Sequence, residues 1–203
     1  MASDPVTRAL KAIAVVMVVG FVGWAVYDRF FASVAPGDMA YHAGNQAFKD
    51  ALYERAAEQY RAALNENPGH VHALRGLARS LHLAEQPDEA LVLYDEAIAR
   101  TPEQPEDEGE RAALAATYAN RGILLDTMGR HEEALADYTR ALEIDREIAK
   151  GPHWLTRFLR NQPEAPPTIA DRAAYLRAEL AKPEFERLLR VPEIDAQQRP
   201  YEQ

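Results

Sequence analysis

The sequence predicts an all-α protein in which one apolar N-terminal helix is followed by a stack of three helix–turn–helix units and by C-terminal capping helices. Three observations support this fold class. A long uncharged run lies within the first 35 residues, the middle of the chain repeats with a period of 34 residues, and the C-terminal part carries apolar residues at helical spacing.

The composition excludes several kinds of site and partner. The chain has 203 residues, a net charge of −9 at pH 7 and no cysteine. Without cysteine no disulfide, zinc ribbon, iron–sulfur centre or thiol nucleophile can form. The acidic net charge argues against a nucleic-acid partner, because phosphate binding needs a basic surface.

The uncharged run covers residues 12–27 and reads AIAVVMVVGFVGWAVY. As a helix it is roughly 24 Å long, and its neighbours extend it toward the ~30 Å hydrocarbon core of a bilayer. Trp24 and Tyr27 lie near one end, where interfacial aromatic residues concentrate. We therefore expect an uncleaved transmembrane anchor over residues 12–31. A cleavable signal peptide is the alternative, but Pro36 would directly follow its best cleavage site.

The charges that flank this run predict its orientation. Arg8 and Lys11 precede it, whereas Arg29 is the only lysine or arginine among the twenty residues that follow it. The positive-inside rule then places residues 1–11 in the cytoplasm and the rest of the chain across the membrane. Since the sequence is rich in alanine and arginine, as bacterial proteins often are, we expect a single-pass protein of the bacterial inner membrane with a periplasmic C-terminal domain.

The middle of the chain contains an internal repeat, which Pro68 and Pro102 mark because they stand 34 residues apart. A third copy follows after a ten-residue insertion. The residues that recur are Ala56, Tyr60 and Ala63 in the first copy, Ala90, Tyr94 and Ala97 in the second, and Ala134, Tyr138 and Ala141 in the third. Their i, i+4, i+7 spacing forms one stripe on a helix. Gly44, Ala78 and Gly122 occupy the matching position of the preceding helix, where a small residue allows close helix approach.

The motifs that carry this repeat are EQYRAALNENP at 58–68, DEALVLYDEAIARTP at 88–102 and HEEALADYTRALEID at 131–145. The pattern resembles the tetratricopeptide repeat (TPR) family, and the resemblance covers residues 37–148. It implies a domain over 37–150 with repeats at 37–70, 71–104 and 115–148. We expect the acidic insertion, 105–114, to be a solvated loop, with a docking site for a basic partner as the alternative. Arg146 replaces the closing proline, which predicts that the last repeat helix continues to Gly151 and Pro152.

The C-terminal part is predicted to cap the stack over residues 151–190. Trp154, Leu155, Phe158 and Leu159 share one helical face. Thr168 and Asp171 predict a helix start, and Ile169, Ala173, Leu176 and Leu180 continue it at helical spacing. A short last helix is expected after Pro183, with Phe185, Leu188 and Leu189. Residues 191–203 are expected to be extended or disordered.

The resemblance implies that the first helix of each repeat lines a concave groove that holds peptide segments. The residues that it assigns to this groove are Tyr41, Asn45, Phe48, Lys49, His72, Arg75, Arg79, His82, Asn120, Ile123, Asp126 and Thr127. Those of repeat two form a basic stripe, which favours an acidic or carboxylate-ended partner segment. Arg75 and Arg79 would hold its carboxylate. The alternative is that these side chains are solvated and paired with neighbouring acids.

The family's two-carboxylate clamp is not predicted here. Of its polar positions only Asn45 matches, because Gly76 and Ala116 stand where clamp residues would be needed. His70 and His72 lack a third ligand in any metal-binding spacing, and the acidic insertion lacks the pattern of a calcium loop. No phosphate loop, nucleophile elbow or acid pair is present, so neither a cofactor nor an enzyme is predicted.

These observations predict a membrane-anchored adaptor or scaffold that binds protein partners and assists the assembly or stability of an inner-membrane or periplasmic complex. A stable accessory subunit of a membrane enzyme complex is the alternative. A hydrolase or transferase that uses the repeats as a platform is a third class, for which the sequence offers no catalytic motif.

Overall fold

The computed structural model describes residues 4–31, 35–150 and 168–190, and within these ranges every regular element is helical. The chain divides into two units, residues 1–36 and 37–203. The all-α prediction is confirmed.

The first unit is helix α1 (Pro5–Phe31). It begins seven residues before the predicted anchor, at a proline, which is well suited to the first turn of a helix. Its segment Pro5–Ala25 is long and apolar enough to cross a membrane. The side chains from Ile13 to Ala25 are exposed, Val16 and Phe21 by 70% and 66%. The predicted apolar N-terminal helix is therefore present.

The second unit begins with three helical hairpins that follow the 34-residue period. They are α2 (Asp38–Lys49) with α3 (Tyr53–Glu66), α4 (Val71–Leu83) with α5 (Pro87–Arg100), and α6 (Glu108–Thr127) with α7 (His131–Ile144). The recurring Tyr60, Tyr94 and Tyr138 are all buried. Tyr60 packs against Gly44 and Gly76, and Tyr138 packs against Gly122. The predicted packing points at Gly44 and Gly122 are therefore real contacts, and Gly76 is a further one that the repeat pattern did not predict.

The acidic insertion is not the solvated loop that its charges suggested. Helix α6 begins at Glu108 and has 20 residues, so most of the insertion adds two turns to the first helix of repeat three. Asp107 caps these turns, because its Oδ1 accepts a hydrogen bond of 2.9 Å from the amide of Glu110. Acidic residues in a first helical turn also interact favourably with the helix dipole.

The last repeat helix does not continue to Gly151 as predicted. Helix α7 ends at Ile144, Asp145 is extended, and a separate 3-10 helix covers Arg146–Lys150. The Asp145 carboxylate accepts a hydrogen bond of 2.8 Å from the amide of Glu147. Such a local aspartate turn competes with helical hydrogen bonding, which explains why this helix ends without a proline.

The predicted capping helix is α8 (Ile169–Leu180), and it begins with a complete capping box between Thr168 and Asp171. Its predicted apolar stripe is buried at Ile169, Ala173 and Leu176, in one core with helices α6 and α7. In place of a last α-helix, a single 3-10 turn covers Glu184–Glu186, and Phe185 is exposed. The predictions for residues 151–167 and 191–203 lie outside the described residues.

Candidate functional site on the concave face

The residues assigned to the groove lie on α2, α4 and α6 but differ greatly in exposure. Lys49, His72 and Thr127 are exposed. Those that are partly exposed are Tyr41, Asn45, Phe48, Arg79 and His82. Those that are buried are Arg75, Asn120, Ile123 and Asp126. The accessible part of the predicted surface therefore belongs mainly to repeats one and two, and its use by a partner stays a prediction.

Repeats one and two present a packed polar and aromatic wall. The guanidinium of Arg79 lies over the ring of Phe48, with its carbon 4.1 Å from the ring centre. The hydroxyl of Tyr60 donates a hydrogen bond of 2.7 Å to Oδ1 of Asn45. Burial raises the pKa of Tyr60 to about 12, so its hydroxyl stays protonated and keeps donating. Since both Arg79 and Asn45 are held by neighbours, this wall is preorganised.

Arg75 already binds a carboxylate of its own chain. Its side chain is only 6% exposed, and Nη2 donates to Oγ1 of Thr101 at 2.8 Å and to Oε2 of Glu110 at 3.0 Å. The second oxygen of Glu110 lies 3.2 Å from Nε2 of His72. Thr101 and Glu110 were missing from the predicted groove. The acidic insertion could have indicated a partner for the basic stripe, but the sequence does not show which helix its carboxylates contact.

These contacts border an open cleft of about 340 Å³ near the first turns of α2, α4 and α6. Its charged and polar lining includes Asp38, His70, His72, Arg100, Thr101 and Glu110. Nε2 of His70 lies 3.4 Å from Oδ1 of Asp38, while its Nδ1 accepts from the amide of Ala73. Among the described residues no three histidine or carboxylate groups converge as metal ligands. The cleft mixes both charge signs, which suits a polar peptide segment.

His82 does not contribute a positive charge to the basic stripe at neutral pH. Burial lowers its pKa to about 4. Its ring meets that of Tyr94 edge to face at 6.4 Å, and its Nδ1 is buried with no hydrogen-bond partner among the described residues. The positive charge of this stripe at neutral pH therefore comes from Arg75 and Arg79.

The low pKa of His82 predicts that acid weakens the fold. The unfolded chain takes up this proton near pH 6.5, but the folded chain does so only near pH 4, so stability should fall as pH drops through this window. The loss that His82 contributes is about 3 kcal/mol over the window. Urea unfolding at pH 7.5, 5.5 and 4.5 should show a shallower decline for both His82→Gln and His82→Leu than for the natural chain. Equal slopes in all three proteins would contradict the prediction.

The repeat-three part of the predicted groove is covered by the chain's own C-terminal segment. Arg172 of α8 is 2% exposed, and its Nε and Nη2 donate to the two oxygens of Asp126 at 2.7 and 3.0 Å. Nδ1 of His131 lies 2.9 Å from Oδ1 of Asp126. Burial by itself would raise the pKa of Asp126, but the hydrogen bonds and charge of Arg172 hold it below its usual range. Asp126 therefore binds the capping helix.

Comparisons with known proteins agree with this architecture. Two models of the tetratricopeptide repeat match residues 47–117 and 115–147. Cellulose synthase operon protein C of Pseudomonas fluorescens is 36% identical over 112 residues, which are 55% of this chain but only 8% of that protein. Uncharacterized protein y4yS of Sinorhizobium fredii is 30% identical over 148 residues, which are 68% of this chain and 76% of that protein. With its three helical hairpins and their buried tyrosines, the chain belongs to the tetratricopeptide repeat family.

Proposed function

We propose that this protein is a membrane-anchored adaptor that holds a protein partner on the concave face of repeats one and two and assists assembly of a complex at the bacterial inner membrane. Tetratricopeptide repeats typically bind protein partners and are generally non-catalytic scaffolds. The observation that carries the proposal is the preorganised wall of Asn45, Phe48 and Arg79 on helices α2 and α4. The open cleft near the first turns of the same helices adds room for a bound segment. Exposed Lys49 and His72 give this surface basic groups that can meet an acidic or carboxylate-ended segment.

Helix α1 supports the membrane part of the proposal. Its 27 residues have a length of about 40 Å, which exceeds the ~30 Å hydrocarbon core. Exposed apolar side chains over Ile13–Ala25 are costly in water and favourable in lipid. With Arg8 and Lys11 on the cytoplasmic side, residues 37–203 lie in the periplasm. An anchored groove meets membrane partners at raised local concentration, so modest affinity is sufficient.

Removal of residues 1–36 is expected to move the protein from the membrane fraction to the soluble fraction, because the remaining chain lacks the apolar helix. The measurement is fractionation with alkaline extraction of the full chain and of the shortened chain. A chain in which residues 12–27 are replaced by an uncharged leucine-rich run is the matched control and should stay in the membrane. If the intact mass of the purified protein corresponds to a chain that starts after residue 35, a cleaved signal peptide is favoured instead.

A periplasm-dependent reporter fused after Gln203 should be active, because the orientation proposed above places the C-terminal domain in the periplasm. A silent reporter would contradict this orientation.

Reversal of charge on the groove should release the partner. We expect Lys49→Glu with Arg79→Glu to reduce partner capture at least tenfold, because two cations facing an acidic segment become repulsive. The measurement is purification in mild detergent followed by quantitative mass spectrometry of the co-purifying proteins. The matched control is Arg55→Glu with Arg146→Glu, which makes the same change of net charge on exposed residues of α3 and the 3-10 helix. Circular dichroism verifies that each variant is folded.

A stable accessory subunit of a membrane enzyme complex is the second candidate. Glu110 and α8 cover part of the predicted groove, and this favours the second candidate. A permanent interface would then use surfaces outside the groove. This candidate requires one complex that co-purifies in stoichiometric amount and is insensitive to the groove charge reversal. A set of partners lost on reversal of Lys49 and Arg79 supports the adaptor instead.

A further inference from the structure

Glu110 binds in the place where the basic stripe was expected to hold a partner. It comes from the inserted turns of α6, and its two oxygens lie against Nη2 of Arg75 and Nε2 of His72. Both Arg75 and His72 are groove positions of repeat two. Glu110 therefore has the charge, the chemical group and the location of the acidic ligand that the groove is proposed to take.

The geometry differs from that of an ordinary surface ion pair. Arg75 is 6% exposed, yet it uses only one guanidinium nitrogen for Glu110 and Thr101. Its Nε and Nη1 are buried and have no hydrogen-bond acceptor among the residues that the structure describes. Buried guanidinium donors are normally satisfied, and arginine binds carboxylates best with two parallel hydrogen bonds. Glu110 divides its two oxygens between Arg75 and His72, so Nε and Nη1 of Arg75 stay without an acceptor among the described residues.

Glu110 is also placed so that it can leave. Its side chain is 35% exposed, and it borders the open cleft together with Thr101. When released it would remain in the first turn of α6, where the helix dipole favours a negative charge. Release of Glu110 therefore costs free energy mainly because buried Arg75 loses its carboxylate partner. A second carboxylate that binds Arg75 would remove this cost.

We propose that Arg75 and His72 form a carboxylate-binding site that the chain's own Glu110 occupies, and that an acidic or carboxylate-ended partner segment binds by displacing Glu110. Thr101 positions Arg75 by accepting a hydrogen bond from its Nη2. This inference rests on the proposed function and adds its regulation. A tethered carboxylate acts at a high effective concentration, so it lowers the apparent affinity for the partner and rejects ligands that cannot use the free donors of Arg75.

The first experiment tests the site without any peptide. Acetate reproduces the carboxylate of Glu110, and the full chain in detergent micelles is titrated with sodium acetate against sodium chloride at equal ionic strength. We expect acetate to raise the Tm of Glu110→Ala by about 3 °C in a saturable manner. The natural chain, Glu108→Ala and the double variant Glu110→Ala with Arg75→Gln should show no such rise. Absence of a specific acetate effect on Glu110→Ala would overturn the proposal.

The second experiment uses a fluorescent peptide with acidic side chains and a free carboxyl terminus. Glu110→Gln keeps a hydrogen-bond acceptor for Arg75 but loses the charge, and we expect it to bind the peptide about tenfold more tightly than the natural chain. Glu108→Gln makes the same charge change in the same helical turn and should bind like the natural chain. Equal affinity of Glu110→Gln and the natural chain would overturn displacement.

The two experiments separate the inference from the proposed function. If displacement fails but Lys49→Glu with Arg79→Glu still abolishes peptide binding, the adaptor function keeps its support and only the role of Glu110 is lost. If acetate stabilises Glu110→Ala while no variant binds the peptide and the natural partners resist groove charge reversal, the carboxylate site stands and the proposed function fails.

Discussion

Arg172→Ala is expected to lower the free energy of unfolding of the repeat domain by about 3–5 kcal/mol, because it leaves a buried carboxylate without its counter-charge. Asp126 is 3% exposed and receives two hydrogen bonds from Arg172. Nη2 of Arg172 also donates to the carbonyl of Leu189 at 2.8 Å. The side chain of Arg172 therefore connects α8 to repeat three and to the segment that follows α8. Its loss should weaken the packing of α8 on repeat three.

Urea unfolding followed by circular dichroism measures this loss at pH 7. Arg177→Ala removes an exposed arginine of the same helix and should change stability by less than about 1 kcal/mol. Asp126→Leu with Arg172→Met should recover part of the stability, because it removes both buried charges at similar volume but also removes the hydrogen-bond partner of His131. An Arg172→Ala protein as stable as Arg177→Ala would show that the ion pair does not hold the cap.

The same pair predicts a second acid-sensitive step, which lies below that of His82. Since the pKa of folded Asp126 is lower than its usual value, its contribution is complete above the unfolded pKa near 3.9. The contribution is lost as pH falls through the lower folded value. Acid should therefore first destabilise repeat two at His82 and then release α8.

The elements that sequence reasoning predicted well are those encoded by neighbouring residues. The capping box of Thr168 and Asp171 and the 34-residue period of Tyr60 and Tyr94 both depend on local spacing, and both are present. The insertion was interpreted incorrectly because its acidic residues resemble a solvated loop, whereas Asp107 and the helix dipole make them a stable first turn.

The residues that close the groove could not be predicted, because they come from distant parts of the chain. Glu110 meets Arg75 across 35 positions, and Arg172 meets Asp126 across 46. Neither pair produces a periodic pattern in the sequence, and the family resemblance predicts no segment that would cover Asp126. The burial of Arg75, Asp126 and Arg172 could not be predicted either, because a charged residue on a helix is normally solvated. The repeat pattern therefore predicts the helices but not how much of the groove is open.

Gly76→Ala is expected to destabilise the domain by about 2–3 kcal/mol, although alanine favours a helix by about 1 kcal/mol over glycine. A Cβ at this position would lie 2.6 Å from Cζ of Tyr60, and one at Gly44 would lie 2.7 Å from Cε1 of the same ring. Tyr60 is fully buried between α2 and α4 and cannot move away from one glycine without approaching the other. Separation of these helices would also weaken the hydrogen bond from Tyr60 to Asn45, and with it the wall of the groove.

A double-mutant cycle in urea distinguishes this packing from a general effect of the substitution. Tyr60→Leu makes room beside both glycines, so Gly76→Ala should cost at least 1 kcal/mol less in that background than in the natural chain. Gly69→Ala, in an exposed turn where the nearest atom to a new Cβ is a side-chain oxygen at 3.3 Å, should be nearly neutral. If the cost of Gly76→Ala were the same with leucine at position 60, the ring of Tyr60 would not be what requires glycine. Gly76 stands where the family's clamp needs a polar side chain, and the ring of Tyr60 leaves no space for any side chain at this position. This contact gives a steric reason why the family's clamp cannot form here.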